Sequence, residues 1–172
     1  MNGRLRQLQG FEVEGLQAPR QLYLAIKEPA PLIGMAYPAA GMPWHRLFSA
    51  GISNVVCLCG GLVDYDPSPL RVLRAVEMED LHHGNEPRSP ARDEKLVRDV
   101  VNAINARLLA GEGVAVHCVG GTGRTGTVIG CVLRSRGYPA DDIIRYLDEL
   151  NRARGRRGWP EAPWQAEMLR RF

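Results

Sequence analysis

A short apolar run followed by a glycine-rich turn constrains the fold of this chain more than any other feature of its sequence. Residues 114–116 are all apolar, and such a short run is typical of a strand that is buried on both faces of a sheet. The turn over residues 117–126 is rich in glycine, and the helical spacing of apolar residues resumes at Val128. The pattern predicts a strand, a tight turn and a helix in succession, which is a unit of α/β folds.

The remaining sequence patterns agree with an α/β class. Apolar runs of strand length, bounded by proline or glycine, occupy residues 22–26, 32–36, 52–58 and 72–78. Ser89 and Pro90 predict the start of a long helix that stops at Gly111. Other helices are predicted over residues 43–50 and 128–137, from Pro139 onward, and over residues 164–172. Strands come early and helices late, so the sequence predicts a central sheet flanked by helices.

The length of 172 residues suits one domain that can bury a core without disulfides or metals. Residues 1–20 are polar and contain several glycines, so we expect a loose lead-in to a single domain over residues 21–172. The N-terminal segment lacks the apolar stretch of a secretory signal, and no apolar run approaches the roughly 18–20 residues that span a bilayer. The sequence therefore predicts a cytoplasmic protein. It gives no indication of the oligomeric state.

Charge and cysteine spacing argue against several classes of partner. The net charge of +3 is too small to indicate a nucleic-acid-binding protein, and we expect no membrane partner. Cys57 and Cys59 form a C-x-C pair rather than a C-x-x-C pair, and no second ligand pair lies at the spacing of a zinc finger. The sequence therefore predicts no metal site, and its four cysteines are expected to be reduced thiols.

The turn over residues 117–126 has the chemistry of an anion site that carries a nucleophile. Its backbone N–H groups can point at one anion, and the N-terminus of the following helix adds positive potential. The same field favours the thiolate form of Cys118. Arg124 can offer a planar pair of donors to two phosphate oxygens, and Thr125 can bring a hydroxyl near the sulfur. His117 is expected to orient the turn through backbone hydrogen bonds without touching the substrate.

The pattern His-Cys-x5-Arg-Thr-Gly at residues 117–126 resembles the signature of the protein tyrosine phosphatase superfamily. Over residues 32–172 the chain is most similar to small dual-specificity phosphatases, including the type associated with cyclin-dependent kinase inhibitors. The resemblance implies a protein tyrosine phosphatase-like fold, with a central mixed, largely parallel sheet between helices. It also implies hydrolysis of phosphorylated proteins or peptides without a metal or other cofactor.

The resemblance further implies two chemical steps at Cys118. Its thiolate attacks phosphorus to form a phosphocysteine, and water then hydrolyses this intermediate. Arg124 and the amides of the turn stabilise the phosphate oxygens as their charge shifts. The phosphate-binding positions that the resemblance implies are Val119, Gly120, Gly121, Thr122, Gly123 and Arg124.

In such phosphatases an aspartate on an upstream loop protonates the leaving group, and residues 76–84 are the corresponding segment of this chain. We assign Asp80 as this general acid. Glu79 is the main rival, because neighbouring residues along a strand point in opposite directions. The segment lacks a Trp-Pro-Asp tripeptide, so the assignment rests on position alone. Weaker candidates are Glu86, Asp64 and Asp66.

The resemblance points to two more residues. Gln165 resembles a glutamine that lies near the site and positions water, although it could equally be an exposed helix residue. Cys57 holds a place comparable to that of a second cysteine, which in some similar phosphatases forms a disulfide with the oxidised nucleophile. A reversible Cys57–Cys118 disulfide is therefore a hypothesis, and it would protect Cys118 from irreversible oxidation. The alternative is that Cys57 is a small buried strand residue.

Three functions compete at this stage. The first is a protein phosphatase for phosphotyrosine, with phosphoserine and phosphothreonine as further substrates if the cleft is shallow. The second is a phosphatase of the same fold for non-protein phosphates, such as phosphoinositides or RNA 5′-triphosphates; the absence of lysine between Cys118 and Arg124 disfavours it. The third is an inactive phosphopeptide-binding module, which the intact Cys118, Arg124 and Thr125 disfavour.

Overall fold

The computed structural model describes residues 5–6, 8 and 10–172 of the chain. Its strands are β1 (Leu22–Ile26), β2 (Leu32–Met35), β3 (Ile52–Cys57), β4 (Arg71–Ala75) and β5 (Gly113–His117). Its helices are α1 (Trp44–Ser49), α2 (Pro90–Leu109), α3 (Gly123–Ser135), α4 (Ala140–Ala153) and α5 (Pro163–Arg171). Across these described ranges, the helices are too short or too polar to traverse a lipid bilayer.

The strands form one mixed sheet in the order β1-β2-β5-β3-β4. Only β1 runs antiparallel to its neighbour, and the other three pairings are parallel. The predicted fold class, a mixed and largely parallel sheet flanked by helices, is confirmed. The run over residues 114–116 lies in β5, the central strand, where all five residues are buried. Ligand sites of such sheets lie beyond the carboxyl ends of the strands, so the segment that follows His117 emerges at the expected edge.

Helices cover both faces of the sheet, and alternate residues of β5 contribute to the two cores. Val114 and Val116 pack in the larger cluster, which contains the buried faces of α2, α3, α4 and α5. Ala115 points the other way, into the smaller cluster with Leu47 of α1. Helix α3 carries the strongest packing constraint, since its residues 123–133 are all buried. The helix that follows the glycine-rich turn is therefore buried along most of its length.

Several boundaries differ from those predicted from periodicity. Strand β4 ends at Ala75 instead of residue 78, because the next residues bond to the chain beyond the end of β3: the N–H of Met78 donates to Leu58 O at 3.1 Å. Helix α3 begins at Gly123, five residues before the predicted start at Val128. The apolar spacing could not indicate this start, because the first turn of the helix consists of glycines and polar residues.

The predicted lead-in, residues 1–20, is only partly described. Residues 1–4, 7 and 9 lie outside the described residues. Within the described part, Val13 is buried in the smaller core cluster, and the carbonyl of Pro19 accepts a hydrogen bond from Arg154 Nε at 3.0 Å. The segment after residue 10 therefore packs on the domain, while the boundary at residue 21 remains a prediction.

Candidate active site

Cys118 lies between the last residue of β5 and the first turn of α3, and it is only 2% exposed. The hydroxyl of Thr125 donates a hydrogen bond to its sulfur at 3.2 Å. A hydroxyl in this position can donate to a thiolate as well as to a thiol. The structure thus brings together the two residues that the sequence motif selected.

His117 is buried beneath the turn and bonds to its backbone. Its Nδ1 lies 3.2 Å from the carbonyl oxygen of Cys118, which can only accept, so Nδ1 carries the proton. The hydroxyl of Tyr65 lies 2.5 Å from Nε2 and donates to it. Burial lowers the pKa of His117 to about 4, against a smaller opposing effect of the bond to Cys118. The neutral ring therefore holds the Cys118 peptide, and Tyr65, which sequence reasoning missed, fixes the ring.

Arg124 reaches across the site to the upstream loop, and it is only 8% exposed. Its Nη2 donates to Asp80 Oδ2 at 3.0 Å, and its Nη1 donates to the carbonyl of Met78 at 3.4 Å. Partial burial raises the pKa of Asp80, but the Arg124 guanidinium and hydrogen bonds from His82 outweigh it and leave this pKa below its ordinary value. In this geometry Asp80 is ionised and pairs with the Arg124 guanidinium.

Glu79 faces a different partner from Asp80. Its carboxylate accepts a hydrogen bond from the N–H of Arg88 at 2.8 Å and forms an ion pair with the same residue. The N–H of Glu79 donates to the buried carboxylate of Asp93 at 3.1 Å, which fastens the loop to the first turn of α2. Asp80 is therefore the neighbour that lies beside Arg124, and Asp93 is a supporting residue that sequence reasoning missed.

The weaker acid candidates do not contact Arg124. Asp66 accepts two hydrogen bonds from Ser68, and Asp64 accepts one from the hydroxyl of Tyr37. Glu86 is exposed on the loop before α2. The structure brings none of these carboxylates into the group of Cys118, Thr125, Arg124 and Asp80.

A buried arginine far along the chain supports the turn from below. The Nη1 atom of Arg154 donates to the carbonyl of Gly121 at 2.8 Å and to Asn151 Oδ1 at 2.8 Å, and its Nη2 lies 3.4 Å from the carbonyl of Gly120. Sequence reasoning missed Arg154, because it stands among several arginines in residues 152–157 that resemble a solvated surface. Only its burial, set by tertiary packing, separates it from them.

The backbone of the turn also requires glycine at Gly121. Its φ of 69° lies in the left-handed region, and a Cβ added there would lie 2.5 Å from the carbonyl oxygen of Met35. Both conditions exclude other residues without a shift of the backbone. The turn can therefore lie directly against the end of β2.

We expect an Arg154→Lys variant to lose activity through displacement of the turn that Arg154 supports. An ammonium group cannot reproduce the fork that bonds the carbonyls of Gly120 and Gly121, so the turn should relax. We predict a fall in kcat/KM of at least about tenfold and a loss of stability of about 1–3 kcal/mol, the usual effect of leaving buried groups unpaired. Steady-state kinetics and urea denaturation measure both quantities.

Arg134→Lys is the matched control, because Arg134 also donates to a backbone carbonyl, that of Tyr138, but at the far end of α3. It should leave kcat/KM within about twofold, since its hydrogen bond lies at the end of α3 remote from the turn. Equal losses of activity in the two variants would contradict a specific supporting role for Arg154.

Gln165 is buried, so the alternative of an exposed helix residue is wrong. Its Oε1 accepts hydrogen bonds from the N–H groups of Glu161 at 2.7 Å and Ala162 at 3.2 Å. A Cβ added at Gly123 would lie 3.1 Å from its Nε2, which therefore faces the first residue of α3. Gln165 holds the segment before α5 against the turn, and its role in positioning water remains a prediction.

All four cysteines are free thiols. The sulfur of Cys57 is buried and lies 3.9 Å from that of Cys59, and burial together with this neighbour raises the pKa of Cys59 to about 12. Ligand atoms of Cys57, Cys59 and His117 all lie within 4.8 Å of one another. Both nitrogens of His117 are engaged by Tyr65 and the Cys118 carbonyl, so a metal ion could bind here only by displacing one of them.

A cleft of about 650 Å³ lies beside the turn. Gly120 and Thr122 of the turn line one side of it, together with His82 and Glu161. The lining also includes Asp148, which pairs with Arg152 at 2.9 Å, and the exposed Arg156 and Arg157. Arginines outnumber carboxylates in this lining, which favours anionic ligands.

Comparison with known proteins identifies the family to which the chain belongs. Residues 23–155 match the family model described as "PTP-SAK: Swiss Army Knife protein, DSP-PTPase phosphatase domain". The chain belongs to this family, and it is a phosphatase domain of the small dual-specificity type. The resemblance that the motif at residues 117–126 indicated is confirmed.

Solved structures show the same fold. The chain is 22% identical to Tk-PTP in its active form, with a TM-score of 0.59 over 90% of this chain and 97% of that chain. It is 17% identical to the human tyrosine phosphatase-like serine/threonine/tyrosine-interacting protein, with a TM-score of 0.64 over 88% and 95%. It is 15% identical to PTPMT1 in complex with PI(5)P, with a TM-score of 0.55 over 81% and 88%. At these identities the likeness concerns the fold alone.

Proposed function

We propose that this chain is a protein phosphatase of the tyrosine and dual-specificity class, which hydrolyses phosphorylated proteins or peptides without a metal or other cofactor. The position of Cys118 carries the proposal: its sulfur accepts a hydrogen bond from Thr125, in the first turn of the helix that also carries Arg124. Arg124, on the same turn, is the phosphate-binding residue, and Asp80 is the general acid. We also propose that residues 21–172 form a single domain and that the protein is cytoplasmic.

The reaction begins with an exchange at Arg124. Its guanidinium releases the Asp80 carboxylate and takes two oxygens of the phosphate, which the amides of residues 119–123 also contact. With the positive charge neutralised, the pKa of Asp80 rises and the carboxyl takes up a proton.

The two chemical steps then share one carboxyl. Cys118 Sγ forms a bond to phosphorus while the P–O bond to the leaving group breaks, and the leaving oxygen takes the proton of Asp80. Water next attacks the phosphocysteine and gives its proton to Asp80 as the S–P bond breaks. Inorganic phosphate leaves, and Cys118 returns as a thiolate.

Rapid-quench kinetics with p-nitrophenyl phosphate tests this function. We expect release of p-nitrophenol and a phosphoryl adduct on the Cys118 peptide after acid quenching, because the intermediate is covalent. A panel of phosphotyrosine, phosphoserine and phosphothreonine peptides then ranks the protein substrates. Binding of phosphopeptides without any turnover would identify a binding module instead.

A second candidate is a phosphatase for non-protein substrates that carry several phosphates, such as phosphoinositides. The observation that favours it is the row of Arg152, Arg156 and Arg157 in the cleft beside the turn, and PTPMT1, a protein of similar fold, was solved with PI(5)P. The joint Arg156→Gln and Arg157→Gln variant should then raise KM for an inositol bisphosphate far more than for a phosphopeptide. Arg145→Gln, on the outer face of α4, is the control.

We also propose the reversible disulfide between Cys57 and Cys118. Mild peroxide supplies the oxidant: it converts the Cys118 thiolate to a sulfenic acid, and the Cys57 thiol then displaces water. Intact mass should show the loss of two hydrogens in the wild type but not in Cys57→Ser. A loss that persists in Cys57→Ser and disappears in Cys59→Ser would assign the partner to Cys59, whose sulfur lies 3.9 Å from that of Cys57.

A further inference from the structure

A second carboxylate is held against the catalytic turn, on the segment that precedes α5. The indole N–H of Trp159 donates to the carbonyl of Gly123 at 3.2 Å, and the N–H of Glu161 donates to Gln165 Oε1 at 2.7 Å. Glu161 is thus fixed from both sides. Its Oε2 lies so close to Gly123 that an added Cβ there would overlap it.

The Glu161 carboxylate has no partner of its own. No described residue forms an ion pair or a hydrogen bond with its oxygens, although it is partly buried and lines the cleft with His82, Gly120 and Thr122. An unpaired carboxyl at the rim of a phosphate site is costly for stability. Trp159 and Gln165 nevertheless hold it there, which is the arrangement expected of a group that meets the substrate.

The surroundings of Glu161 and Asp80 shift the pKa values of the two carboxyl groups in opposite directions. Burial raises the pKa of Glu161, and the nearby Asp80 carboxylate raises it further, whereas Arg124, His82 and Arg156 oppose them less strongly. The pKa of Asp80 is shifted downward at the same time. Two carboxyls whose environments move their pKa values apart are the usual basis for assigning an acid and a base. In the resting site, Glu161 is the carboxyl that keeps its proton to higher pH.

We propose that Glu161 is a second proton donor and acceptor of the phosphatase reaction, acting on the same leaving oxygen as Asp80. This inference rests on the proposed function. As the bond from Cys118 Sγ to phosphorus forms and the P–O bond breaks, the leaving oxygen takes the proton of the Glu161 carboxyl whenever Asp80 is still ionised. Glu161 then accepts a proton from the water that hydrolyses the phosphocysteine, so no proton is gained or lost over the cycle.

Leaving-group dependence tests the proposal in an Asp80→Asn background. Phenolate is a much stronger base than p-nitrophenolate, so loss of a proton donor slows phenyl phosphate far more than p-nitrophenyl phosphate. Adding Glu161→Gln should lower kcat/KM for phenyl phosphate by a further ~10–100-fold and leave p-nitrophenyl phosphate within about threefold. The residual activity of Asp80→Asn should also fall as pH rises through the pKa of Glu161, and Glu161→Gln should remove this alkaline limb.

Two controls separate catalysis from folding. Glu167→Gln changes an exposed carboxylate of α5 that is 4.0 Å from Arg171, and it should alter neither substrate in the Asp80→Asn background. Glu161→Asp retains an acid and should recover part of the phenyl phosphate activity. Equal loss on both substrates, or an unchanged pH profile, would overturn the proposal. A wild-type protein that hydrolyses neither substrate would refute the phosphatase function itself, which is a different outcome.

Discussion

A Cys118→Ser variant will fold normally and show no measurable turnover of aryl phosphates or phosphopeptides. The serine hydroxyl is isosteric with the thiol but is not ionised near neutral pH, so neither the attack on phosphorus nor the covalent intermediate is available. Arg124 and the turn remain in place, and the variant should therefore still bind phosphopeptides. Steady-state assays and calorimetric titration with a phosphotyrosine peptide measure the two properties.

Cys131→Ser is the matched control, because Cys131 is also a buried cysteine, lies on α3 and has no part in the proposed reaction. It should keep kcat while losing some stability, since a hydroxyl is buried among apolar neighbours. Iodoacetate should inactivate the wild type and Cys131→Ser alike at neutral pH. Turnover that persists in Cys118→Ser would contradict the nucleophile assignment.

An Asp80→Asn variant should lower kcat for substrates with poor leaving groups by roughly 10²–10⁴-fold, the usual contribution of a positioned acid. The amide can still accept a hydrogen bond from Arg124 but has no proton to transfer. KM should change little or fall, because the guanidinium is no longer held by an internal carboxylate. Comparing phenyl phosphate with p-nitrophenyl phosphate separates lost proton transfer from misplacement of Arg124.

Glu79→Gln tests the rival assignment. Its carboxylate pairs with Arg88 on the outside of the loop, so the substitution should cost less than about tenfold, an indirect effect on loop position. If Glu79→Gln reduces kcat more than Asp80→Asn does, Glu79 is the acid and the ion pair between Asp80 and Arg124 is a resting-state contact only.

Local sequence patterns predicted the fold well where burial and spacing coincide. The apolar run over residues 114–116 marked the central strand, and the Ser89-Pro90 start and Gly111 stop framed α2. The prediction failed for the start of α3, because Gly123 and its neighbours carry no apolar periodicity. The Gly123 carbonyl accepts a hydrogen bond from the indole of Trp159, a tertiary contact that the local sequence does not indicate.

The site divides in the same way. Cys118, Arg124 and Thr125 lie within one short segment, so the motif alone predicted that they would meet at one turn. The assignment of Asp80 also required the order of the strands and helices along the chain. Glu161 and Arg154 could not be predicted, because each resembles an ordinary charged surface residue until the tertiary structure brings it to the turn.

The hydrogen bond between Arg154 and the carbonyl of Pro19 extends the support of the catalytic turn into the N-terminal segment. A protein trimmed to begin at residue 21 would retain every proposed catalytic side chain. It would nevertheless lose the Pro19 carbonyl, which accepts a hydrogen bond from Arg154. The same guanidinium bonds the carbonyl of Gly121, and its Nε would then need water as an acceptor. We therefore expect the position of the turn to depend partly on residues that precede the first strand of the sheet.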